Sequence, residues 1–167
     1  MSINIRKAKK TDIPAIYRLI CELAIFEKEP DAVEVTEEEL YRYGFSEDAF
    51  YKCIVAEEKG EVVGIALFYF RFSTWKGKSV HLEDLIVTQS YRGKGLGRAL
   101  YDEVLLYAQS EGVRRVQWEV LDWNQPAIDF YESSGASILK DWYLAQMHTE
   151  ELAEYTKTKK TRLDESL

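Results

Sequence analysis

Tyr91-Arg92-Gly93-Lys94-Gly95-Leu96-Gly97 decides the fold, because it joins a predicted buried strand, Val80 to Val87, to a predicted helix from Leu96 to about Ser110. Glycine has no Cβ, so three glycines within five positions let backbone N–H groups come close to an anion. The first amides of a helix lack an intrahelical acceptor and lie at its positive dipole end. The pattern is typical of a phosphate site, although a Gly-rich strand-to-helix turn can also be only a tight connection.

Two familiar phosphate-binding fingerprints do not fit this stretch. The dinucleotide fingerprint G-x-G-x-x-G requires a third glycine where the chain has Arg98, and the Walker loop G-x-x-x-x-G-K-[ST] occurs nowhere in the sequence. The remaining pattern, R-G-x-G-x-G, leaves the identity of the phosphate ligand open.

The length and composition predict one cored domain. The chain has 167 residues, of which 46% are hydrophobic and 13% aromatic, enough for one core and too few to promise two. We expect the domain over 1–147, followed by a polar, charge-mixed tail over 148–167 that is helical or disordered.

Several classes of protein are disfavoured. No apolar run is long enough to span a membrane, and residues 1–6 do not resemble a signal peptide, so we expect a cytoplasmic protein. Cys21 and Cys53 have neither a Cys-x-x-Cys spacing nor a His-rich partner set, which predicts buried thiols and no metal site.

The charge distribution argues against two kinds of partner and for another. The net charge of −7 disfavours binding to nucleic acid or to an anionic membrane surface. Nine acidic residues against two basic ones lie between Glu27 and Asp48, so this segment alone carries the equivalent of the whole net charge. The segment is either a solvated surface, with a capping box at Thr36 to Glu39, or a cation-attracting rim beside a cleft.

Hydrophobic periodicity and turn residues predict the order β, α, α, three antiparallel strands, α, β, α, β. The last three elements are a strand at Val116, Trp118 and Val120, a helix from Asn124 to Ser133, and a final strand over 142–147.

Two motifs on successive helices carry a family resemblance. R-G-x-G-x-G opens the central helix, and Asn124-x-x-Ala127-x-x-x-Tyr131-x-x-x-Gly135 follows on the next. In this order, over about residues 3–147, they resemble the GNAT N-acetyltransferases. The resemblance implies the GNAT acyl-CoA N-acyltransferase fold, an α/β (α+β) fold with a mixed central sheet and helices on both faces.

Shorter runs narrow the resemblance. The chain is similar to the spermidine/spermine acetyltransferase group in five short runs: Gly44-Phe45 ahead of Phe50-Tyr51, Phe68-Tyr69-Phe70, Ser73 to Gly77, Leu82-Glu83-Asp84 and Val120 to Gln125. Ser73-Thr74 and Leu121 to Gln125 look more like the thialysine N-epsilon-acetyltransferase branch, because the polyamine branch tends to have an aspartate where this chain has Ser73.

The resemblance implies two catalytic residues. An amine must lose a proton before it attacks a thioester, and Glu83 is the candidate base, directly or through a water. The alternative is that Glu83 binds the substrate cation without moving its proton. Tyr131, seven residues after Asn124, corresponds to the general acid that protonates the leaving thiolate.

The resemblance also implies two sets of binding residues. Acetyl-CoA as co-substrate, with no metal, would be held by Leu85, Ile86, Val87, Arg92, Gly93, Lys94, Gly95, Leu96, Gly97, Arg98, Asn124, Gln125, Pro126, Ala127 and Tyr131. The amine would be held by Phe26, Glu27, Trp75, Glu83, Asp84, Gln117, Trp118 and Glu119. For Asn124 a plain helix cap, and for Trp118 a plain core position, are alternatives.

The sequence therefore predicts an acetyl-CoA-dependent N-acetyltransferase that transfers acetyl directly to the primary amine of a small cationic substrate, a diamine, a polyamine or a thialysine-like amino acid. The alternatives are a protein or peptide N-acetyltransferase and a catalytically silent CoA-binding module. Members of the family commonly pair, so we expect a homodimer.

Overall fold

The computed structural model describes residues 3–157, which divide into one unit over 3–119 and a second over 120–157. The first unit is built on a five-stranded sheet in the order β1-β2-β3-β4-β5. Its elements are β1 (Ile3–Lys7), α1 (Ile13–Phe26), α2 (Glu37–Phe45), β2 (Tyr51–Glu58), β3 (Glu61–Ser73), β4 (Gly77–Val87), α3 (Leu96–Ser110) and β5 (Val116–Gln117). Strands β1 to β4 pair antiparallel and β5 pairs parallel to β4, so the sheet is mixed.

The second unit contains α4 (Gln125–Ser133) and α5 (Thr149–Lys157). Within the predicted tail, α5 is helical, and residues 158–167 lie outside the described part of the chain. The proposed domain bounds, 1–147 with a tail from 148, remain a prediction.

Helix starts follow the local sequence. The Thr36 side chain accepts a hydrogen bond from the Glu39 amide, and the Glu39 carboxylate accepts one from the Thr36 amide, which confirms the predicted capping box. Asn124 caps α4 by accepting from the amide of Ala127.

One face of the sheet packs against α1 and α2. Apolar side chains form a single buried cluster here; they include Ile13, Ile16 and Leu19 of α1, Leu40 of α2, and Cys53, Val55, Ile65, Leu67 and Ile86 of the sheet. The opposite face packs against α3, where the rings of Phe68 and Tyr107 lie 5.3 Å apart. Helices therefore cover both faces, as predicted.

Gly64 on β3 sets how closely α3 approaches the sheet. A Cβ added to Gly64 would lie 3.0 Å from the carbonyl oxygen of Ile86 and 3.1 Å from Cδ1 of Leu100. Leu100 is fully buried on α3. The missing side chain at position 64 thus makes room for a helix residue.

Two strand predictions differ from the structure. The strand predicted through Val120 is limited to Val116–Gln117. The strand predicted over 142–147 is wrong, because this segment has no regular secondary structure. Its run of apolar side chains would suit a buried strand, yet Tyr143 is 95% exposed and Leu144 is 67% exposed. No helix among residues 3–157 is both long and apolar enough to cross a bilayer.

We predict that Gly64→Ala lowers the free energy of unfolding by about 1–3 kcal/mol, because the added methyl overpacks the contact with Leu100 and the Ile86 carbonyl. Chemical denaturation monitored by circular dichroism measures this change. Gly97→Ala is the matched control, since its Cβ would meet no heavy atom closer than 4.0 Å. Equal losses in the two variants would contradict the packing role of Gly64.

Candidate active site

A β-bulge in β4 shapes the candidate site. Leu67 pairs with Asp84 and Phe68 pairs with Leu82, so Glu83 is an extra residue with no partner on β3. Side chains alternate between faces along a regular strand, and one extra residue reverses that alternation beyond it. The bulge therefore turns Asp84 to the face that holds Leu67.

His81 and Ile86 show which face this is. Ile86 belongs to the core beneath α1 and α2, and His81 pairs with Tyr69, which packs against the same core. Glu83 hydrogen-bonds both Tyr69 and His81 and so lies on that side too. One short stretch of β4 thus directs an imidazole and two carboxyl groups to the same face of the sheet.

A polar network surrounds His81. Its Nε2 lies 3.1 Å from Oε2 of Glu119 and 3.4 Å from Oε2 of Glu83, and its Nδ1 lies 3.1 Å from a guanidinium nitrogen of Arg71. The Tyr69 hydroxyl donates to the same Glu83 oxygen at 3.0 Å. The imidazole is buried, whereas the side chains of Glu83 and Glu119 are 51% and 54% exposed. The buried imidazole of His81 therefore contacts two carboxylates that are open to solvent.

The environment moves the pKa values of neighbouring acids in opposite directions. The hydrogen bond from His81 lowers the pKa of the Glu83 carboxyl against the opposing effect of partial burial, and the Tyr69 hydroxyl adds to the lowering. Burial raises the pKa of Asp84 to about 7, and the negative charges of Glu83 and Glu27 add to this rise. Burial also raises the pKa of Glu27. Glu83 is therefore held as a carboxylate, while Asp84 titrates near neutrality.

The glycine loop leaves open space in front of its backbone. Gly93 and Gly95 have φ values of 75° and 80°, which only glycine adopts readily. A Cβ on either would meet no heavy atom of the described residues within 4 Å. Gly95 is the N-cap of α3 and offers no side chain to its first amides. A phosphate oxygen can reach those amides without displacing a side chain.

Basic side chains beside this loop are partly engaged. Nε of Arg92 donates to the carbonyl of Val87 at 2.9 Å, and its guanidinium carbon lies 4.9 Å from the centre of the Phe26 ring. Arg98 pairs with Asp102 one helical turn later, at 3.0 Å. Lys94 lies over the Tyr91 ring. Arg92 thus fastens the loop to the end of β4.

The end of β4 offers a backbone edge. β5 pairs with β4 at Val80 and His81 and, within the described chain, no strand continues that edge beyond His81. Leu85, Ile86 and Val87 pair with β3 on their other edge. Apart from the Val87 carbonyl, which Arg92 already engages, the outward amides and carbonyls of this stretch can therefore receive an extended ligand as an added strand does.

The side chains of Trp118 and Glu119 lie on opposite sides of the sheet. The Trp118 ring meets the Tyr101 ring of α3 edge-on at 5.6 Å, while the Glu119 carboxylate meets His81. Gln117 pairs with His81 in the β4–β5 register. The structure therefore brings Glu83 and Glu119 together and gives Trp118 a packing partner on the α3 side.

Trp75 lies at the tip of the β3–β4 hairpin. It is 79% exposed, and the Ser73 hydroxyl accepts hydrogen bonds from the amides of Trp75 and Lys76. Five residues separate Gly77, at the start of β4, from Leu82 at the bulge, about 17 Å along the strand. Within one chain, Trp75 is not part of the carboxylate cluster.

The other predicted site residues belong to the second unit. Asn124 precedes α4, whose first residues are Gln125, Pro126 and Ala127. Tyr131 lies near the end of this helix, with its ring 5.2 Å from that of Phe130. The cap expected at Asn124 is confirmed, and it leaves the residue's predicted cofactor role a prediction.

Comparison with known proteins agrees with this geometry. Residues 13–136 match the model of the acetyltransferase (GNAT) family. The chain is 41% identical over 163 residues to a thialysine N-epsilon-acetyltransferase of Bos taurus, covering 91% of this chain and 96% of that protein. The chain belongs to the GNAT acetyltransferase family. The GNAT fold and the enzyme class predicted from the sequence are thereby confirmed.

Two further relatives help to place this acetyltransferase. It is 36% identical over 159 residues to the human spermidine/spermine N(1)-acetyltransferase-like protein 1, covering 89% of this chain and 23% of that longer protein. The structure of an integron cassette protein from V. cholerae superposes with a TM-score of 0.77 at 28% identity, covering 94% of this chain and 99% of that one.

Sequence reasoning on the acetyltransferase missed His81, Arg71 and the contact of Tyr69 with Glu83. One signal was available, since His81 stands two residues before Glu83 and is one of two histidines in the chain. Arg71 could be found only from the register of the hairpin, which the bulge changes. No group of three or more His, Cys, Asp or Glu side chains within 3–157 is arranged to hold a metal ion.

We predict that Asp84→Asn stabilises the acetyltransferase at alkaline pH and has less effect at acidic pH. The folded pKa of about 7 lies above the unfolded value, so ionisation costs stability as pH rises from about 4 to 7. Asn cannot ionise, so the difference should grow to the order of 4 kcal/mol by pH 8. Thermal unfolding of both proteins between pH 5 and 8 measures it. The exposed Asp48→Asn is the control, and a pH-independent difference for Asp84→Asn would contradict this interpretation.

Proposed function

We propose that this protein is an acetyl-CoA-dependent N-acetyltransferase that transfers acetyl directly to the primary amine of a small cationic substrate, a diamine, a polyamine or a thialysine-like amino acid. The observation that carries the proposal is the pair of half-exposed carboxylates, Glu83 and Glu119, on one His81 nitrogen. Two carboxylates attract an ammonium group and accept its N–H donors. The names of the relatives, which refer to thialysine and to spermidine and spermine, support the same substrate class.

Acetyl-CoA fits the open glycine loop. Family members use it as co-substrate, and it would supply the acetyl group as a thioester. The amides of Arg92 to Arg98 would hold its pyrophosphate and the backbone of Leu85 to Val87 its pantetheine arm. Asn124 to Ala127 are also proposed as cofactor-binding residues. The positive φ of Gly93 and Gly95 and the open space beside them support this assignment.

The amine would lie against the acidic side of the cluster. Glu83 and Glu119 would receive the ammonium, and Asp84 lies close enough to Glu83 and Glu27 to be affected by their charges. The other residues proposed for this site are Phe26, Trp75, Gln117 and Trp118. Attraction between the ammonium and an aromatic face would add to the charge interaction at Phe26.

Glu83 and Tyr131 would move the protons. Glu83 would take a proton from the ammonium, directly or through a water, so that the nitrogen can form the N–C bond as the C–S bond breaks. The Tyr131 phenol would give a proton to the departing sulfur. The lowered pKa of Glu83 keeps it ionised for substrate binding at neutral pH.

Direct transfer agrees with the state of the buried cysteine. Cys53 is buried, and burial raises the pKa of its thiol well above the usual value, so it stays protonated and a poor nucleophile. Cys21 is likewise unpaired, on α1. Two free thiols are what a reducing compartment maintains, which supports the proposed cytoplasmic location.

A homodimer is part of this proposal. The segment before α5 exposes large apolar side chains, with Trp142 at 68%, Tyr143 at 95% and Leu144 at 67% exposure. A second copy of the chain would cover such a surface on both protomers at once. A dimer also offers Trp75, at the hairpin tip, a site on the partner to which it can contribute.

We predict that the protein releases free thiol from acetyl-CoA when a diamine, polyamine or thialysine is added, and that kcat/KM ranks these above a lysine-containing peptide. Thiol release followed by absorbance over an amine panel measures this. The initial-rate lines should intersect, as expected for direct transfer, whereas ping-pong kinetics would reject it.

Tyr131→Phe is the matched variant for this assay, since it removes one oxygen atom. Turnover should fall by about 10²- to 10⁴-fold, the usual contribution of a positioned proton donor. Thermal stabilisation by acetyl-CoA without turnover on any amine would identify a silent CoA-binding module instead. Preference for the peptide would identify a protein acetyltransferase.

We predict that the protein has twice the mass of a single chain in solution and that Leu144→Lys yields the single-chain mass. A lysine in a buried apolar interface leaves an unpaired charge, which opposes association. Light scattering coupled to gel filtration gives both masses. Leu106→Lys, at an exposed position on α3, is the control; a monomeric wild type would refute the dimer.

A further inference from the structure

Arg71 determines which nitrogen of His81 carries the proton. A guanidinium group has donors and no acceptor, so the contact of 3.1 Å requires Nδ1 of His81 to accept. A neutral imidazole that accepts at Nδ1 carries its hydrogen at Nε2. The side chain of His81 is 5% exposed, and its ring lies 5.1 Å from the Tyr69 ring in a tilted contact that restricts its orientation. The Nε2–H therefore has one fixed direction.

That direction leads to two carboxylates from separate parts of the sheet. Glu119 follows β5 and Glu83 is the bulged residue of β4, and both have an oxygen within 3.4 Å of His81 Nε2. Two carboxylates so close to one another repel, and their charges are compensated only partly by solvent at about half exposure. A donor between them offsets the repulsion and fixes their separation.

We propose that His81 is a positioning residue that holds Glu83 and Glu119 together with one N–H as the receptor for the substrate's ammonium group, and that Arg71 enforces the tautomer this requires. The inference rests on the proposed function and deepens it, since it names what assembles the amine site. The ammonium brings further N–H donors to the two carboxylates, so the site is arranged for a cation before the cation arrives.

The charged and titratable groups around Glu83 and Glu119 come from β3, from β4 and from the end of α1. Tyr69 and Arg71 lie on β3, Asp84 is next along β4, and Glu27 lies at the end of α1 near Asp84. Tyr69 also donates a hydrogen bond to Glu83, the carboxylate that His81 already contacts. Among the described hydrogen bonds, none joins Tyr69 to Glu119. His81 is thus the group that joins the two carboxylates.

The first test is spectroscopic and independent of activity. The ¹⁵N shifts of imidazole nitrogens distinguish the two neutral tautomers, and the chain has two histidines, so His148→Gln assigns the spectrum. We expect the Nε2–H tautomer for His81 in the wild type and a weaker preference for it in Arg71→Met, where only the two carboxylates at Nε2 still favour it. An Nδ1–H tautomer in the wild type, or no change in Arg71→Met, would overturn the role of Arg71.

The second test compares two substitutions at position 81. His81→Phe keeps a ring and removes the donor, while His81→Gln keeps an amide N–H near the position of Nε2. For His81→Phe we expect the acidic limb of the kcat/KM profile to move to higher pH, because the Glu83 carboxylate loses its hydrogen bond from His81. We expect kcat/KM for the amine to fall about 10- to 100-fold, mainly through KM, as for the loss of one charge-assisted hydrogen bond. His81→Gln should recover a substantial part of both.

The outcomes separate this inference from the proposed function. If the wild type acetylates no amine, the proposed function fails. If the wild type is active and His81→Phe has an unchanged pH profile and KM for the amine, the positioning role of His81 fails alone. Equal defects in His81→Phe and His81→Gln, tracking their melting temperatures, would also overturn it. The KM for acetyl-CoA should stay unchanged in both variants.

Discussion

The extra residue in β4 is the constraint on which both the core and the site depend. Without a bulge at Glu83, the alternation of side chains would direct Asp84 toward α3 and move Ile86 out of the core beneath α1. With the bulge, Leu82 faces α3 and Ile86 faces the core beneath α1, while His81, Glu83 and Asp84 all lie on the α1 face of the sheet. A defect in strand pairing therefore concentrates charge at one place in an otherwise apolar sheet.

Once gathered, these groups acquire different characters from their surroundings. Glu83 is half exposed and receives hydrogen bonds from His81 and Tyr69, so its charged form is favoured. Asp84 is more enclosed and lies near two other acids, so its neutral form is favoured up to a pKa of about 7. Adjacent carboxyl groups with separated pKa values can hold a cation and accommodate a proton at the same pH.

The sequence predicted the elements that local chemistry specifies. Thr36 and Glu39 announce a capped helix, Asn124 and Gly135 bracket α4, and the glycines from Gly93 mark the turn into α3. The likeness of the sequence to a family also proposes Glu83 as a site residue, and that role stays a prediction. The local sequence did not predict the bulge, because nothing in Leu82-Glu83-Asp84 indicates an unpaired residue. The bulge arises only when β4 pairs with β3. For the same reason the partnership of Arg71, His81 and Glu119 depends on three strands in register. The strand predicted over 142–147 is wrong because strand pairing requires a neighbouring strand, which a single apolar segment does not encode.

Gly64 restricts which substitutions the interface between the sheet and α3 can accept during evolution. Leu100 occupies the space that a side chain at position 64 would need, and α3 begins with the glycine loop. The sizes of the residues at 64 and 100 are therefore coupled, so a larger residue at one position calls for a smaller one at the other. The combined size of the side chains at positions 64 and 100 therefore sets where the glycine loop lies relative to the end of β4, although neither residue belongs to the loop.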